Sequence, residues 1–415
     1  PLFSSPRRKT RFGFKSRGLG DVYKRQTGIS VNYTVLDEQT LREIVTRDVG
    51  AGGDQFDAVM IGPYEAPQFG ANGWIRGLTG YAEDDASYDL EDIIPNVRTA
   101  LSLDDTLFAA PFYAESSFLM YRKDLLEEAG MAIPKEPTWD QIADIAREIH
   151  TDDVAGICLR GKPGWGDLGA TLTTVVNTFG GTWWEANPDG TPGAARIREQ
   201  EFRDAVQFYV DLVQDAGQPD AAAHGYNECL SLYREGKVAM WYDATVAAGN
   251  LEADDSPVKG RNGYALAPTK VTDAAGWLWS WALAIPASAN DPDAAWEYIS
   301  FATGKDYAAA AGERLPGGYA VIPPGTRRST YDLPGYQEAA EPFVDITLDA
   351  MLDAPIDNPG TTPRPGGPGV QYVAIPQFQE VGTLCTQQIS AAIAGSQSVD
   401  DALTTCQNVA TRAVR

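Results

Sequence analysis

Ile29-Ser-Val-Asn-Tyr-Thr-Val35, then Glu38-Gln-Thr-Leu-Arg-Glu-Ile-Val-Thr-Arg-Asp-Val49, then Phe56-Asp-Ala-Val-Met-Ile61 is the stretch whose reading decides the fold class. Ile29, Val31, Tyr33 and Val35 alternate with polar residues, the pattern of a half-buried strand. The middle segment reads as a helix running into Gly50-Ala51-Gly52-Gly53, and the third as a short apolar strand stopped by Gly62-Pro63. Strand, helix, strand in that order predicts a parallel sheet covered by helices, an α/β chain. Ligands of such sheets gather at the carboxyl ends of strands, which makes Tyr64 and Glu65 candidate rim residues.

The same alternation of elements continues outward. Leu107 to Tyr113 reads as a strand entering Ala114–Tyr121, and Thr138 with Gln141 has the spacing of a capping box that starts a helix through about His150. Gly156–Arg160 and Val238–Tyr242 read as strands, and Glu201–Val213 and Tyr226–Gly236 as helices. Trp277, Trp279 and Trp281 alternate into a strand with one aromatic face. Asn290-Asp291-Pro292 starts a helix that Gly304 closes, and Asp357–Gly369, rich in Pro and Gly, must be loop. Two helices separated by Gly395 end the chain.

The chain has 415 residues, beyond the roughly 250–300 at which single cores stop growing, so two domains are expected. No run approaches the ~18 apolar residues of a membrane span. A net charge of −24 argues against sequence-independent binding to nucleic acid and disfavours an anionic ligand. Residues 1–26 break that average with eight Lys or Arg and the single acid Asp21. Asp21-Val-Tyr-Lys-Arg-Gln26 reads as a translated transposon-end adaptor, so the native protein is expected to begin near Thr27 and the basic stub to be non-native.

Catalytic motifs are mostly missing: no Gly-x-Ser-x-Gly elbow, no Walker loop, no His-Glu-x-x-His. Gly164-Trp-Gly-Asp-Leu-Gly169 matches a dinucleotide fingerprint, but Trp165 is bulky where a pyrophosphate must approach the backbone, so a loop presenting Trp165 is the better reading. Glu115 and Asp243 are the obvious carboxylates for a glycosidase, the rival to a binding function. Trp74, Trp139 and Trp296 read as core. For Trp165, Trp279 and Trp281, stacking on a sugar is as fair a reading as core packing, since polyol recognition mixes aromatic walls with carboxylates and amides. No cofactor is implied, and Cys158, Cys229, Cys385 and Cys406 lack metal-site spacing. They fit two disulfides or four buried thiols equally.

Four stretches in order carry a resemblance: Ala110-Pro-Phe-Tyr-Ala-Glu-Ser-Ser-Phe-Leu-Met-Tyr-Arg-Lys-Asp-Leu-Leu126, Glu235–Met240, Trp281–Pro286 and Ala392–Leu403. Together they resemble the extracytoplasmic solute-binding proteins of ABC sugar importers, the class of maltose-binding protein. Gly156–Gly161 with Pro163–Gly166, Met240–Val246, Pro323–Tyr331 and Ile375–Gln379 followed by Gly382-Thr383 are similar to its sorbitol- and mannitol-binding branch. The resemblance implies a two-lobed α/β fold with a hinge and an interlobe cleft that closes on ligand and docks on a membrane permease. The implied lobes are 27–112 with 277–314, lacking the family's first strand and helix, and 113–276 with 315–415. It implies a monomer working outside the cytoplasm, a sugar alcohol or sugar as ligand, and permease subunits as partners. By position, Glu115 matches an acid that contacts ligand hydroxyls and Asp243 falls on a loop lining the cleft; Arg160, Trp165, Trp279, Tyr372 and Gln379 are further candidates. Export would pair Cys158 with Cys229 and Cys385 with Cys406.

Overall fold

The computed structural model describes residues 27–415 apart from 37, 273–275, 316 and 323–324. The expectations on the stub, residues 1–26, lie outside the described residues. The chain divides into two compact units: one holds the chain up to Ala114 with Trp279–Glu341, the other Glu115–Leu278 with Pro342–Arg415.

The first unit begins with α1 (Glu38–Gly50), β1 (Val59–Ile61), α2 (Glu65–Ala71) and β2 (Ala110–Glu115). The second follows with β3 (Ser117–Arg122), α3 (Trp139–Ile149), β4 (Ala155–Cys158), α4 (Leu168–Thr178), α5 (Gln200–Ala216), α6 (Tyr226–Arg234), β5 (Val238–Ala244) and β6 (Asn262–Leu266). The chain returns to the first unit through β7 (Trp279–Ala284), α7 (Pro292–Thr303) and α8 (Lys305–Arg314), and α9 (Phe378–Ile393) and α10 (Val399–Ala413) complete the second.

In the first unit the sheet order is β1-β7-β2, and β1 runs antiparallel to β7 with Met60 opposite Leu283. The expected opening strand is not one: Ile29, Val31 and Tyr33 are half-buried between exposed neighbours, but Val35 is 58% exposed. Tyr33 alone makes a β-bridge, and its ring lies edge-on to Tyr298 of α7, their hydroxyls 3.0 Å apart. The alternation was real, and it describes an extended segment in which only Tyr33 pairs in β fashion. Residues 315–341, expected with the second lobe, group with the first unit. The buried Arg327 ties them there, donating to Thr303 O and Asp89 O at 2.8 Å each and stacking 4.6 Å from Tyr88.

The second unit's sheet runs β6-β3-β5-β4, with β4 parallel to β5 and the other pairs antiparallel. All seven residues of β5 are buried, which explains the unbroken apolar run Val238–Tyr242 and makes Asp243 a buried charge. The Thr138–Gln141 capping box forms as read, with both reciprocal bonds present. Every residue of α4 is buried, and the hydroxyls of Thr171, Thr174 and Thr178 bond carbonyls three residues back, while Asn177 donates to Val370 O and Thr173 accepts from Trp183. Gly395, at φ +70°, takes the left-handed conformation that ends α9.

Cys158 and Cys229 are bonded. Cys385 and Cys406 are not, contrary to the pairing that export implied. The Cys406 thiol points at Cys385 O, 3.6 Å away, and burial first, then contact with Cys406, pushes the Cys385 thiol well up. A protonated thiol is a poor nucleophile for disulfide formation.

Candidate functional site

β4 and β5 run side by side with Cys158 opposite Trp241, so Arg160 and Asp243, two residues further on each, emerge together at the carboxyl ends of a parallel pair. Asp243 is fully buried and accepts from Arg160 Nε at 2.8 Å, Arg160 Nη2 at 2.5 Å, Trp241 Nε1 at 3.0 Å and the Ala244 amide at 2.7 Å. The remaining Arg160 nitrogen, Nη1, donates to Gly166 O at 3.0 Å. The guanidinium also lies 5.6 Å from the Tyr226 ring and 5.7 Å from Trp277. Burial works against its charge, yet the attraction of Asp243, then of Asp167 and Glu115, outweighs that and raises its pKa. Glu115, also buried, is thus within electrostatic reach of Arg160. It helps burial and Asp243 raise the Tyr226 phenol as well. Just beyond these acids, Thr245 N donates to Ser116 O at 2.8 Å and Ser116 N to Thr245 Oγ1 at 3.1 Å, pinning the two chain segments together.

Three buried polar atoms beside this cluster have no hydrogen-bond partner among the described residues: Trp277 Nε1, Gln371 Oε1 and Ser116 Oγ. Gln371 and Ser116 each lie against a chain neighbour of Trp277. Gln371 donates to Leu278 O at 3.0 Å, and Ser116 Oγ would lie 2.8 Å from a Cβ added at Gly276. Such atoms also occur elsewhere among the described residues, Tyr233 Oη and Tyr336 Oη for example, and what sets these three apart is their place beside Arg160 and Glu115.

Trp165 sits in the glycine loop but is only 2% exposed, packed edge-on to Tyr372 at 6.3 Å and to Phe378 at 6.1 Å. The Gly164 amide is taken by Thr386 Oγ1 of α9 at 3.0 Å. The loop is thus packed onto a helix, and Gly164, at φ +143°, takes a backbone conformation that residues with a Cβ rarely adopt. Tyr372 is thus buried beside Trp165, and Gln379, half-buried, follows Phe378 at the start of α9.

In the first unit, Glu65 opens α2 directly after β1, is buried, accepts from Gly62 N at 3.0 Å and pairs with Arg42. Tyr64 is buried beside it, its carbonyl accepting from Gln68 at 2.7 Å. Arg42 also pairs with Glu38 one turn earlier on α1, at 2.9 Å. Its guanidinium lies 4.9 Å from the rings of both Trp279 and Trp281, which meet edge to face at 5.5 Å. Burial opposes the Arg42 charge, but Glu65 and Glu38 together raise its pKa. Gly62 also packs against Trp279: a Cβ there would fall 2.1 Å from the indole. Gly62→Ala is therefore expected to destabilise the protein by about 1–3 kcal/mol through overpacking, read as a lower urea midpoint at unchanged slope. An unaltered midpoint would mean that Trp279 has room to move.

Sequence reading missed Arg42, Tyr226, Trp277 and Gln371. Only Arg42 left a local trace, its i, i+4 spacing from Glu38. Among the described residues no group of three His, Cys, Asp or Glu could hold a metal, and no helix is long and apolar enough to cross a membrane.

Residues 14–309 match the family described as bacterial extracellular solute-binding protein. The chain is 41% identical over 393 residues to the mannitol-binding protein of Pseudomonas aeruginosa, covering 93% of this chain and 87% of that one. It is 43% identical to an ABC transporter solute-binding protein of Agrobacterium vitis whose crystal structure contains D-mannitol, with a TM-score of 0.89 over 96% of this chain and 94% of the other. A solute-binding protein of Agrobacterium radiobacter crystallised with ribitol, 23% identical, has the same fold, with a TM-score of 0.83 over 97% and 96% of the two chains. By its sequence and its fold alike, the chain belongs to the family of bacterial extracellular solute-binding proteins.

Proposed function

We propose that the chain is the receptor subunit of an ABC importer, that its ligand is a sugar alcohol of the mannitol type, and that it hands this ligand to a membrane permease. The observation that carries the reading is the trio of buried, unpartnered polar atoms, Trp277 Nε1, Gln371 Oε1 and Ser116 Oγ, beside Arg160 and Glu115. A polyol offers a donor and an acceptor at every carbon, which suits a mixed set of indole donor, amide acceptor and hydroxyl. The ligands named for the relatives at 41% and 43% identity are of the same chemistry. The non-catalytic reading rests on Asp243: its carboxylate is occupied by Arg160, Trp241 and the Ala244 amide, which suits a positioning group and not a nucleophile or a base. Glu115 is the acid we assign to ligand hydroxyls.

The test is a melting-temperature screen with D-mannitol, D-sorbitol, ribitol, glucose and maltose, followed by chromatography of each mixture. A hexitol at 1,000 times its Kd should add about 4 kcal/mol of stability, with no new product. Glu115→Gln should weaken hexitol binding about ten- to a hundredfold, the worth of one charged hydrogen bond at ~1.5–3 kcal/mol. Product formation, or a shift with maltose and none with hexitols, overturns the proposal.

A further inference from the structure

Val370, Gln371, Tyr372 and Val373 are buried in succession, yet they belong to no helix or strand. A buried segment without a ladder leaves backbone carbonyls that must find partners inside the protein. Two of them find the same one. Arg364 donates from Nη1 to Val370 O at 3.0 Å and from Nη2 to Tyr372 O, so its guanidinium grips the chain on both sides of Gln371. Asn177 of α4 adds a second donor to Val370 O at 2.9 Å, and an antiparallel bridge between Gly367 and Ala374 closes the segment at its neck. Gln371 itself donates to Leu278 O at 3.0 Å and keeps Oε1 buried and unpartnered.

An arginine is a costly choice for this task. Arg42, Arg122, Arg160 and Arg327 each pair with a carboxylate, whereas among the described residues none stands within ion-pair distance of Arg364. Burial pulls its pKa down to about 10, with only Tyr372 acting the other way. A desolvated charge spent on neutral carbonyls adds little to stability. What the planar fork supplies is geometry, two fixed donors that hold two carbonyls of an irregular segment at one spacing.

We infer that Arg364 is a positioning residue for the ligand site: by clamping Val370 O and Tyr372 O it fixes the backbone of Gln371, and so aims the unpartnered Oε1 at a ligand hydroxyl. The inference rests on the function proposed above, in which Gln371 Oε1 accepts from the polyol. Arg364 touches no ligand in this role and acts only through Gln371.

The experiment is a double-mutant cycle read by titration calorimetry with D-mannitol and, in parallel, by urea unfolding. The proteins are the wild type, Arg364→Met, Gln371→Ala and the double variant. Gln371→Ala should weaken mannitol binding about tenfold, the size of one hydrogen bond. Arg364→Met should weaken it about three- to tenfold in the native background and not at all once the Gln371 side chain is gone. Its effect on the urea midpoint should be the same in both backgrounds, because the clamp holds main-chain carbonyls that Gln371→Ala retains. Arg364→Lys, which keeps the charge but not the fork, should weaken binding in the same way and takes the place of Arg364→Met in the cycle if that variant does not fold. Affinity losses that multiply in the double variant overturn the inference, as does a folded Arg364→Met or Gln371→Ala protein that binds mannitol like the wild type. Failure of the wild type to bind any hexitol overturns the proposed function itself, and this inference with it.

Discussion

Asp243→Ala should lower the stability of the protein by about 3–5 kcal/mol, more than most single substitutions, because it strands a buried guanidinium. Arg160 would lose the partner of two of its nitrogens, and Trp241 Nε1 and the Ala244 amide would lose their acceptor at the same time. Neither element can relax easily, since β5 is buried along its whole length. Asp243→Asn, which keeps the shape and one acceptor oxygen, should cost less. Urea unfolding of the three proteins measures this, and hexitol titration of the folded variants should show affinity falling in the same order. Asp243→Ala unfolding at the wild-type midpoint would mean that Arg160 finds another counter-charge, and Glu115 would be the acid to examine next.

Removing the Cys158–Cys229 bond is the second large effect. The bridge closes a loop of 71 residues, for which chain entropy gives about 4 kcal/mol, with measured bridges typically near 2–4 kcal/mol. Cys158→Ser/Cys229→Ser, or the wild type in reductant, should unfold at correspondingly lower urea. Binding should weaken too. Arg160 stands two residues beyond Cys158, Tyr226 three before Cys229, and the bridge holds the ends of β4 and α6 from which these two side chains meet. Equal stability with and without reductant would argue that the loop stays ordered without its staple. Cys385 and Cys406 give an internal control, since both are free thiols before any reductant is added.

How much of this was legible beforehand depended on how local the cause was. Thr138 and Gln141 are three residues apart and their bonds are to each other, so the helix start could be read directly. Val238–Tyr242 was readable because burial on both faces writes itself as an unbroken apolar run. Ile29–Val35 was read too far because alternation reports one half-buried side and not a continuous ladder: Tyr33 alone makes a β-bridge, and Val35 is exposed. For the charged candidates the sequence offered positions and no partners. Asp243 and Arg160 are 83 residues apart, and nothing local says that each is mostly spent on the other. Arg42 over Trp279 and Trp281 was invisible for the same reason, as were the orphaned atoms of Trp277, Gln371 and Ser116, which exist only as a relation between distant segments.

Helix α4 has a consequence of its own. With all eleven residues buried and three of its threonines bonded inward, it has no side from which solvent can fray it. Its amide protons past the first turn can therefore meet deuterium only when the surrounding unit opens as a whole. The exchange rates of Val175, Val176 and Asn177 should converge on a single value and act as a built-in gauge of that unit's global unfolding free energy. The exposed turn at Asn187–Gly190, bonded through side chains at the surface, should exchange orders of magnitude faster in the same spectrum.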